Sequence, residues 1–249
     1  MFRGYKSIEW NDEKIKRYWD YVSLFPENYF SYQVGKALVD RLSVFFPNAR
    51  NVLDYGCGPG FLIPHLMNKN MEVSALDFSG ESLAVINEKF RGKRFFKRAI
   101  TIDQLKDVTE KFDVIMAVEV IEHLDDERLK QTARDIKRLA SDNGMVIFTT
   151  PDDEDLSKSM VYCPECDHVF HRWQHVRTWS KSSLTLFLKS NGFDIVAIFE
   201  TNFLEPKILT GLKLVLDRVL GRPAADKRRP HLVAVARNSG KERRESTLD

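Results

Sequence analysis

The stretch NVLDYGCGPG, Asn51 to Gly60, decides the fold. Val52, Leu53 and Tyr55 form a short apolar run that closes on glycine, which reads as a buried strand. Gly56, Gly58 and Gly60 follow at alternate positions, and FLIPHLMNKN continues as a helix with Pro64 in its first turns. Glycine lets the backbone turn tightly and approach a ligand closely. In open α/β sheets, ligands sit at the carboxyl ends of the strands, where the strand order reverses.

Strand and helix signals alternate on either side of this loop. EVSALD (72–77) reads as a strand, GESLAVINEKF (80–90) as a helix and RFFKRAI (94–100) as a strand. FDVIMAVEVI (112–121) is a long buried strand, DERLKQTARDIKRLA (126–140) an amphipathic helix and MVIFTTP (145–151) a strand. A helix over 180–192 and strands over 193–200 and 231–238 complete the pattern. The order predicts an open, mainly parallel sheet with helices on both faces. Residues 1–50 read as helices, one carrying Trp10, Ile15, Tyr18, Trp19 and Val22, the next running from about Phe30 to Phe46. The segment 206–222 is apolar on one face, and the tail 239–249 is expected to be disordered.

Composition narrows the function. The chain has 249 residues, 43% hydrophobic and 30% charged, with a net charge of +2. That balance suits a globular protein and offers no global field for nucleic acid. No run reaches about 18 apolar residues, so no membrane-spanning helix is expected, and the N-terminus lacks an apolar secretion core. A cytoplasmic location is expected. Three cysteines do not make a disulfide framework.

Two acids sharpen the ligand. Asp54 precedes the first glycine by two residues, and Asp77 ends the next strand, where a carboxylate can accept both hydroxyls of a ribose. An acid beside the loop would repel a pyrophosphate. It favours a ligand with an ammonium and a sulfonium, namely S-adenosylmethionine.

With these features the chain resembles the class I S-adenosylmethionine-dependent methyltransferases. VLDYGCGPG, LDF (76–78), FDVIMAVEVIEHL (112–124), GMVIFTTP (144–151) and NGFDIV (191–196) carry the resemblance across about 51–238. It implies a Rossmann-like, doubly wound seven-stranded sheet whose last strand is antiparallel, with an N-terminal helical lid (1–50) and an insertion after the fifth strand (152–179). It also implies roles. The backbone from Gly56 through Cys57 and Gly58 to Gly60 would hold the methionine moiety, with Asp54 close by. Asp77 would bind the ribose, Phe78 would pack on the adenine, and Thr101 and Ile102 would meet its edge. Glu119 would lie near the methionine end. Tyr18, Trp19, Tyr21, Tyr29, Phe30 and Tyr32 would crowd the lid and wall off an acceptor, or serve as ordinary packing.

Methyl transfer to a hydroxyl needs a base or a cation. EVIEH (119–123) resembles the E-x-x-E-H of quinone-pathway O-methyltransferases, which lies near the acceptor and can hold a divalent cation. Glu122 and His123 are the expected catalytic residues, or else organise the loop. YCPECDHVFHRWQHVR (162–177) offers Cys163, Cys166, His171 and His175 in a C-x2-C-x4-H-x3-H spacing, a closed tetrahedral set for structural zinc with both rings on one helical face. The same His175, in HVRTWS, matches a stretch that relatives without cysteines carry before this helix, which implies a histidine that faces the acceptor or orients the loop; free thiols are the third reading. The expectation is methyl transfer to a small-molecule acceptor, at oxygen, with N- or C-methylation or non-catalytic binding of S-adenosylmethionine as alternatives. The absence of an N-P-P-Y-type motif argues against nucleic-acid substrates. The face of 206–222 would pack on the domain or a second subunit of a homodimer, or touch a membrane surface.

Overall fold

The computed structural model describes residues 4–203 and 230–239. In chain order the elements are β1 (Lys6–Ser7), α1 (Asp12–Val22), α2 (Phe30–Leu42), β2 (Asn51–Tyr55), α3 (Ile63–Met67), β3 (Glu72–Asp77), α4 (Gly80–Phe90), β4 (Phe96–Thr101), β5 (Phe112–Val118), α5 (Asp126–Leu139) and β6 (Ala140–Pro151). After them come β7 (Met160–Cys163), β8 (His168–His171), α6 (Lys181–Ser190), β9 (Phe193–Thr201) and β10 (His231–Asn238).

Seven strands form one sheet in the order β4-β3-β2-β5-β6-β10-β9. Strands β2 to β6 pair in parallel, and β10 lies antiparallel between β6 and β9. The expected seven-stranded sheet with an antiparallel last strand is the one observed. Alternation along each strand fills two cores. Val52, Val73, Val114 and Met116 face Leu38, Leu42, Ile63, Leu66 and Ile86 of α2, α3 and α4. Leu53, Leu76, Ile115 and Phe148 face Leu129, Ile136, Leu184 and Leu188 of α5 and α6. Each fully buried leucine or isoleucine contributes about 1.5–3 kcal/mol.

The helices start where their caps place them. Asp125 accepts the backbone N–H of Arg128 at the start of α5, with Asp126 and Glu127 in the first turn and Lys137 and Arg138 in the last. That distribution suits the helix dipole. Ser79 caps α4 through the N–H of Ser82.

Three expectations change in detail. The strand expected over 112–121 stops at Val118, because Glu119 adopts φ +54° and turns Val120 and Ile121 out of the ladder. The insertion holds no helix under His171 and His175; it is a hairpin, β7 against β8. And β1, outside any expected element, pairs in parallel with β8 to make a three-stranded sheet. The N-terminal segment and the insertion are thereby joined. The expected helix 206–222 and all of the expected tail beyond residue 239 lie outside the described residues. Among the described residues, no helix is long and apolar enough to cross a membrane.

Candidate functional site

The glycine loop leaves β2 at the point where the sheet order reverses, between β2 and β5. The N–H groups of Gly56 and Cys57 both donate to Leu76 O of β3, at 2.8 and 3.0 Å, and pin the loop to the strand beside it. Gly58 has φ +50°, and a Cβ there would lie 2.8 Å from the Tyr29 ring. The lid aromatic therefore rests directly on the loop, and only glycine fits beneath it.

Asp77 closes the other side. Its carboxylate accepts the N–H of Gly58 at 2.7 Å and of Ser79 at 2.8 Å. Burial raises its pKa, although these backbone N–H groups oppose the rise. Asp54 is 1% exposed, and its Oδ2 has no hydrogen-bond partner. Burial, and then the charge of Asp77, push its pKa up to about 8. A buried acid with an orphan oxygen and a half-buried acid beside it, between strand and loop, fit a cationic ligand and would oppose a phosphate. The residues thus fit S-adenosylmethionine. Burial also raises the Cys57 thiol well above its ordinary value, so it stands in the loop as an apolar group. The outer rim is Phe78, 38% exposed, and the carboxyl end of β4, where Thr101 pairs with Asp77 and Ile102 packs on the core.

Glu119 sits at the end of β5 in the left-handed region, held by Thr149. Its N–H donates to Thr149 O at 3.0 Å, and its carboxylate accepts the Thr149 hydroxyl at 2.7 Å. Its second oxygen lies 3.3 Å from His231 Nε2. Burial works against a charged His231, but the Glu119 charge and hydrogen bond outweigh it and raise its pKa. The His231 ring stacks on Phe30 at 3.9 Å.

Glu122 and His123 follow at once. Glu122 is 1% exposed, with neither oxygen hydrogen-bonded, and burial followed by the Glu119 charge raises its pKa well above the carboxylate range. Burial, then the neighbouring His175, lowers the His123 pKa well below the ordinary imidazole value, and its Nδ1 has no partner. It is a neutral ring. Glu122 Oε1 lies 3.8 Å from His123 Nε2.

The lid reaches the same place. Trp19 meets His123 edge to face at 4.8 Å, and its Nε1 donates to Gln174 at 3.0 Å. Gln174 in turn donates to His123 O at 3.0 Å. The Tyr18 hydroxyl donates to Arg172 O, and Tyr29 stands 6.1 Å from Trp19. Tyr21 and Tyr32, by contrast, are 63% and 56% exposed. Tyr18, Trp19 and Tyr29 line the interior, and Phe30 backs His231.

The structure divides the Cys/His segment. Strand pairing sets Cys163 opposite His168, and Met160 opposite His171. Cys163 and Cys166 thus occupy the turn of the hairpin, and His171 its base. Three residues of strand separate the two ends by about 10 Å, too far for one tetrahedral ion. Of the four residues expected to ligate zinc, only the histidines come together: His171 and His175 stack at 4.6 Å with an interplanar angle of 20°. The Cys163–Cys166–His171–His175 set is therefore not formed, because the segment is a hairpin and not a knuckle followed by a helix. Instead the donor atoms of Glu154, His171 and His175 lie within 4.8 Å of one another, and so do those of Glu122, His123 and His175. Glu154 and His231 were not expected in the site. Glu154 lies in an acidic run, DDED (152–155), and His231 merely opens the last strand.

Comparison with known proteins agrees with this geometry. The family model described as a methyltransferase domain matches residues 28–198. A ubiquinone biosynthesis O-methyltransferase of Alkalilimnicola ehrlichii is 33% identical over 104 residues, which is 41% of each chain. The chain thus spans about two fifths of the length of that relative. A S-adenosylmethionine-dependent methyltransferase from Clostridium acetobutylicum superposes with a TM-score of 0.60 at 17% identity, covering 88% of this chain and 96% of that one. The 1,6-didemethyltoxoflavin-N1-methyltransferase of Burkholderia thailandensis, with S-adenosylhomocysteine bound, superposes at 0.62 with 14% identity, covering 93% and 92%.

Proposed function

The chain belongs to the class I S-adenosylmethionine-dependent methyltransferase family, and we propose that it transfers the methyl group to an oxygen of a small, ring-bearing acceptor. The observation that carries the reading is the glycine loop at the switch point, flanked by the buried acid Asp54 and by the half-buried Asp77, which accepts the N–H of Gly58. When bound, S-adenosylmethionine supplies an activated methyl on a positive sulfur. The loop backbone and Asp77 hold the nucleoside and methionine ends, Asp54 offsets the ligand's charge, and Phe78, Thr101 and Ile102 border the adenine. Glu119 borders the methionine end.

The protein's remaining task is orientation and exclusion of water. Residues 1–50 and 152–179 act together as the lid, as the β1–β8 pairing supports. Trp19 packs between His123 and Tyr29, and Tyr29 rests on Gly58; this aromatic cluster would wall the acceptor, with Glu122 and His123 beside it. Aromatic side chains at this place favour a ring-bearing acceptor. The similarity to ubiquinone biosynthesis O-methyltransferases supports oxygen as the target. The toxoflavin-pathway neighbour keeps nitrogen as a second reading for this fold.

The test is transfer of labelled methyl from S-adenosylmethionine to a panel of catechols, phenols and ring amines. Product on hydroxylated rings alone is expected. Product on amines alone would replace oxygen by nitrogen.

A further inference from the structure

The insertion brings His171, His175 and Glu154 against Glu122 and His123 of the loop that follows β5. The hydrogen bonds determine where the protons are. His171 Nδ1 accepts the N–H groups of Trp173 at 3.3 Å and of His175 at 3.2 Å. A neutral ring that accepts at Nδ1 carries its hydrogen on Nε2. That nitrogen is buried, has no hydrogen-bond partner, and lies 3.6 Å from Glu154 Oε1. Burial, and then His175, lower the His171 pKa to about 4, so the ring is neutral near pH 7. His171 is thus an N–H directed at Glu154, and not an open metal ligand.

The other Glu154 oxygen is hydrogen-bonded to His175 Nδ1. An ionised carboxylate only accepts, so Nδ1 of His175 is the donor and its Nε2 holds the lone pair. Glu154 is therefore addressed by two imidazole N–H groups, one from each stacked ring. Beyond His175 stands His123, ring to ring at 4.8 Å, and the N–H of Val176 donates to Glu122 O at 2.9 Å. This places His175 against the loop that runs from Glu119 to His123. The same loop touches the cofactor side, since Val120 fills the space where Gly56 would carry a Cβ. The groups facing His175 are Glu154 from the stretch after β6, His171 from β8, and Glu122 and His123 from the loop after β5.

We propose that His175 is the general base that accepts the acceptor's hydroxyl proton, with Glu154 and His171 as positioning residues that hold its tautomer. The proposal rests on the reading of this chain as an oxygen methyltransferase. In the step, the O–H proton passes to His175 Nε2 and the oxygen pair forms a bond to the methyl carbon. The carbon–sulfur bond breaks with its pair going to sulfur, which leaves S-adenosylhomocysteine, the methyl ether and an imidazolium that returns its proton to water. The carboxylate of Glu154 stabilises that imidazolium, as a carboxylate behind a histidine does in other proton-transfer sites. His123 lacks such a partner: its Nδ1 has none, and the nearest carboxylate oxygen, Glu122 Oε1, stands 3.8 Å from its Nε2. The base thus comes from the insertion and not from the E-x-x-E-H sequence.

The experiment uses the full chain, labelled S-adenosylmethionine and a cell extract as acceptor source, with the best catechol of the panel as a defined second substrate. His175→Ala should lower kcat by about 10²–10⁴-fold, leave S-adenosylmethionine affinity within about twofold by calorimetry, and recover activity on addition of imidazole. Glu154→Gln should also fall mainly in kcat. His123→Asn should fall less than His175→Ala. Nitrogen-15 NMR of the histidine rings should show His175 protonated at Nδ1 when neutral, and Glu154→Gln should mix its tautomers. A folded His175→Ala protein that keeps more than about a tenth of the wild-type rate, or a His175 ring protonated at Nε2, would overturn the assignment. So would loss of wild-type activity on chelation with recovery on adding magnesium, which would give the proton to a cation. Transfer to ring amines and never to hydroxyls, with the NMR tautomer as stated, would sink the oxygen reading instead.

Discussion

The cofactor half and the acceptor half of this molecule are built in different ways. The glycine loop and its acids come from one run, residues 54–60, and the end of the neighbouring strand, and short backbone hydrogen bonds hold them. The acceptor half is gathered from four places: Trp19 and Tyr29 from the lid, His123 after β5, Glu154 after β6, and His171 with His175 at the base of the hairpin. A local site can be held by its own chain. A gathered site stands only if the lid, the sheet and the insertion all fold, so the two halves should fail separately.

The largest separation is the one already given for His175, where turnover falls and cofactor affinity stays. The mirror image is Asp77→Ala. Losing a charge-assisted hydrogen-bonding group costs about 1.5–3 kcal/mol, so cofactor affinity should weaken about 10–100-fold. Calorimetry checks it, and an unchanged affinity would remove Asp77 from the site.

A smaller effect concerns Asp54. Its folded pKa stands at about 8, above the ordinary carboxylate value, so the free protein carries this proton at pH 7. A cationic ligand favours the ionised form. Binding should therefore release up to one proton near pH 7, less as the pH rises past 8, and the release should vanish in Asp54→Asn. Calorimetry in buffers of different ionisation enthalpy reads it directly.

In the acceptor half the sign is opposite for His171. Its folded pKa, about 4, lies below the ordinary imidazole value, so the unfolded chain takes up the proton first as the pH falls. The stability this ring contributes is fully present above about pH 6.5 and is lost toward pH 4. Thermal midpoints across that window should drop, and His171→Asn should flatten the drop.

The smallest effect separates the two ends of the hairpin. Cys166 is exposed and Cys163 half-buried at the turn, away from His171 and His175. Replacing both with serine should change stability by less than about 0.5 kcal/mol and leave turnover intact. A large loss of bound zinc and activity together would restore the four-ligand reading.

The same contrast explains what could be read from the sequence. The sheet, its order of strands and helices, and the cofactor loop are encoded locally, in period-two apolar runs, glycines and terminal acids. Even there, the stop at Val118 was hidden, because it depends on Thr149 holding Glu119 in a left-handed conformation. The hairpin fold of 160–171 was legible only as a set of metal-type residues. Spacing along the chain suggested that they share an ion, but a strand spreads them where a knuckle and helix would gather them. Glu154 gave no signal at all, since an acid in an acidic run acquires meaning only from the ring placed against it.

The most direct measurement is calorimetric titration of the full chain with S-adenosylmethionine. The account predicts one site per chain with Kd below about 1 mM, weakened in Asp77→Ala and unchanged in His175→Ala. No binding by the wild-type chain at that concentration, or equal weakening by both substitutions, would contradict it.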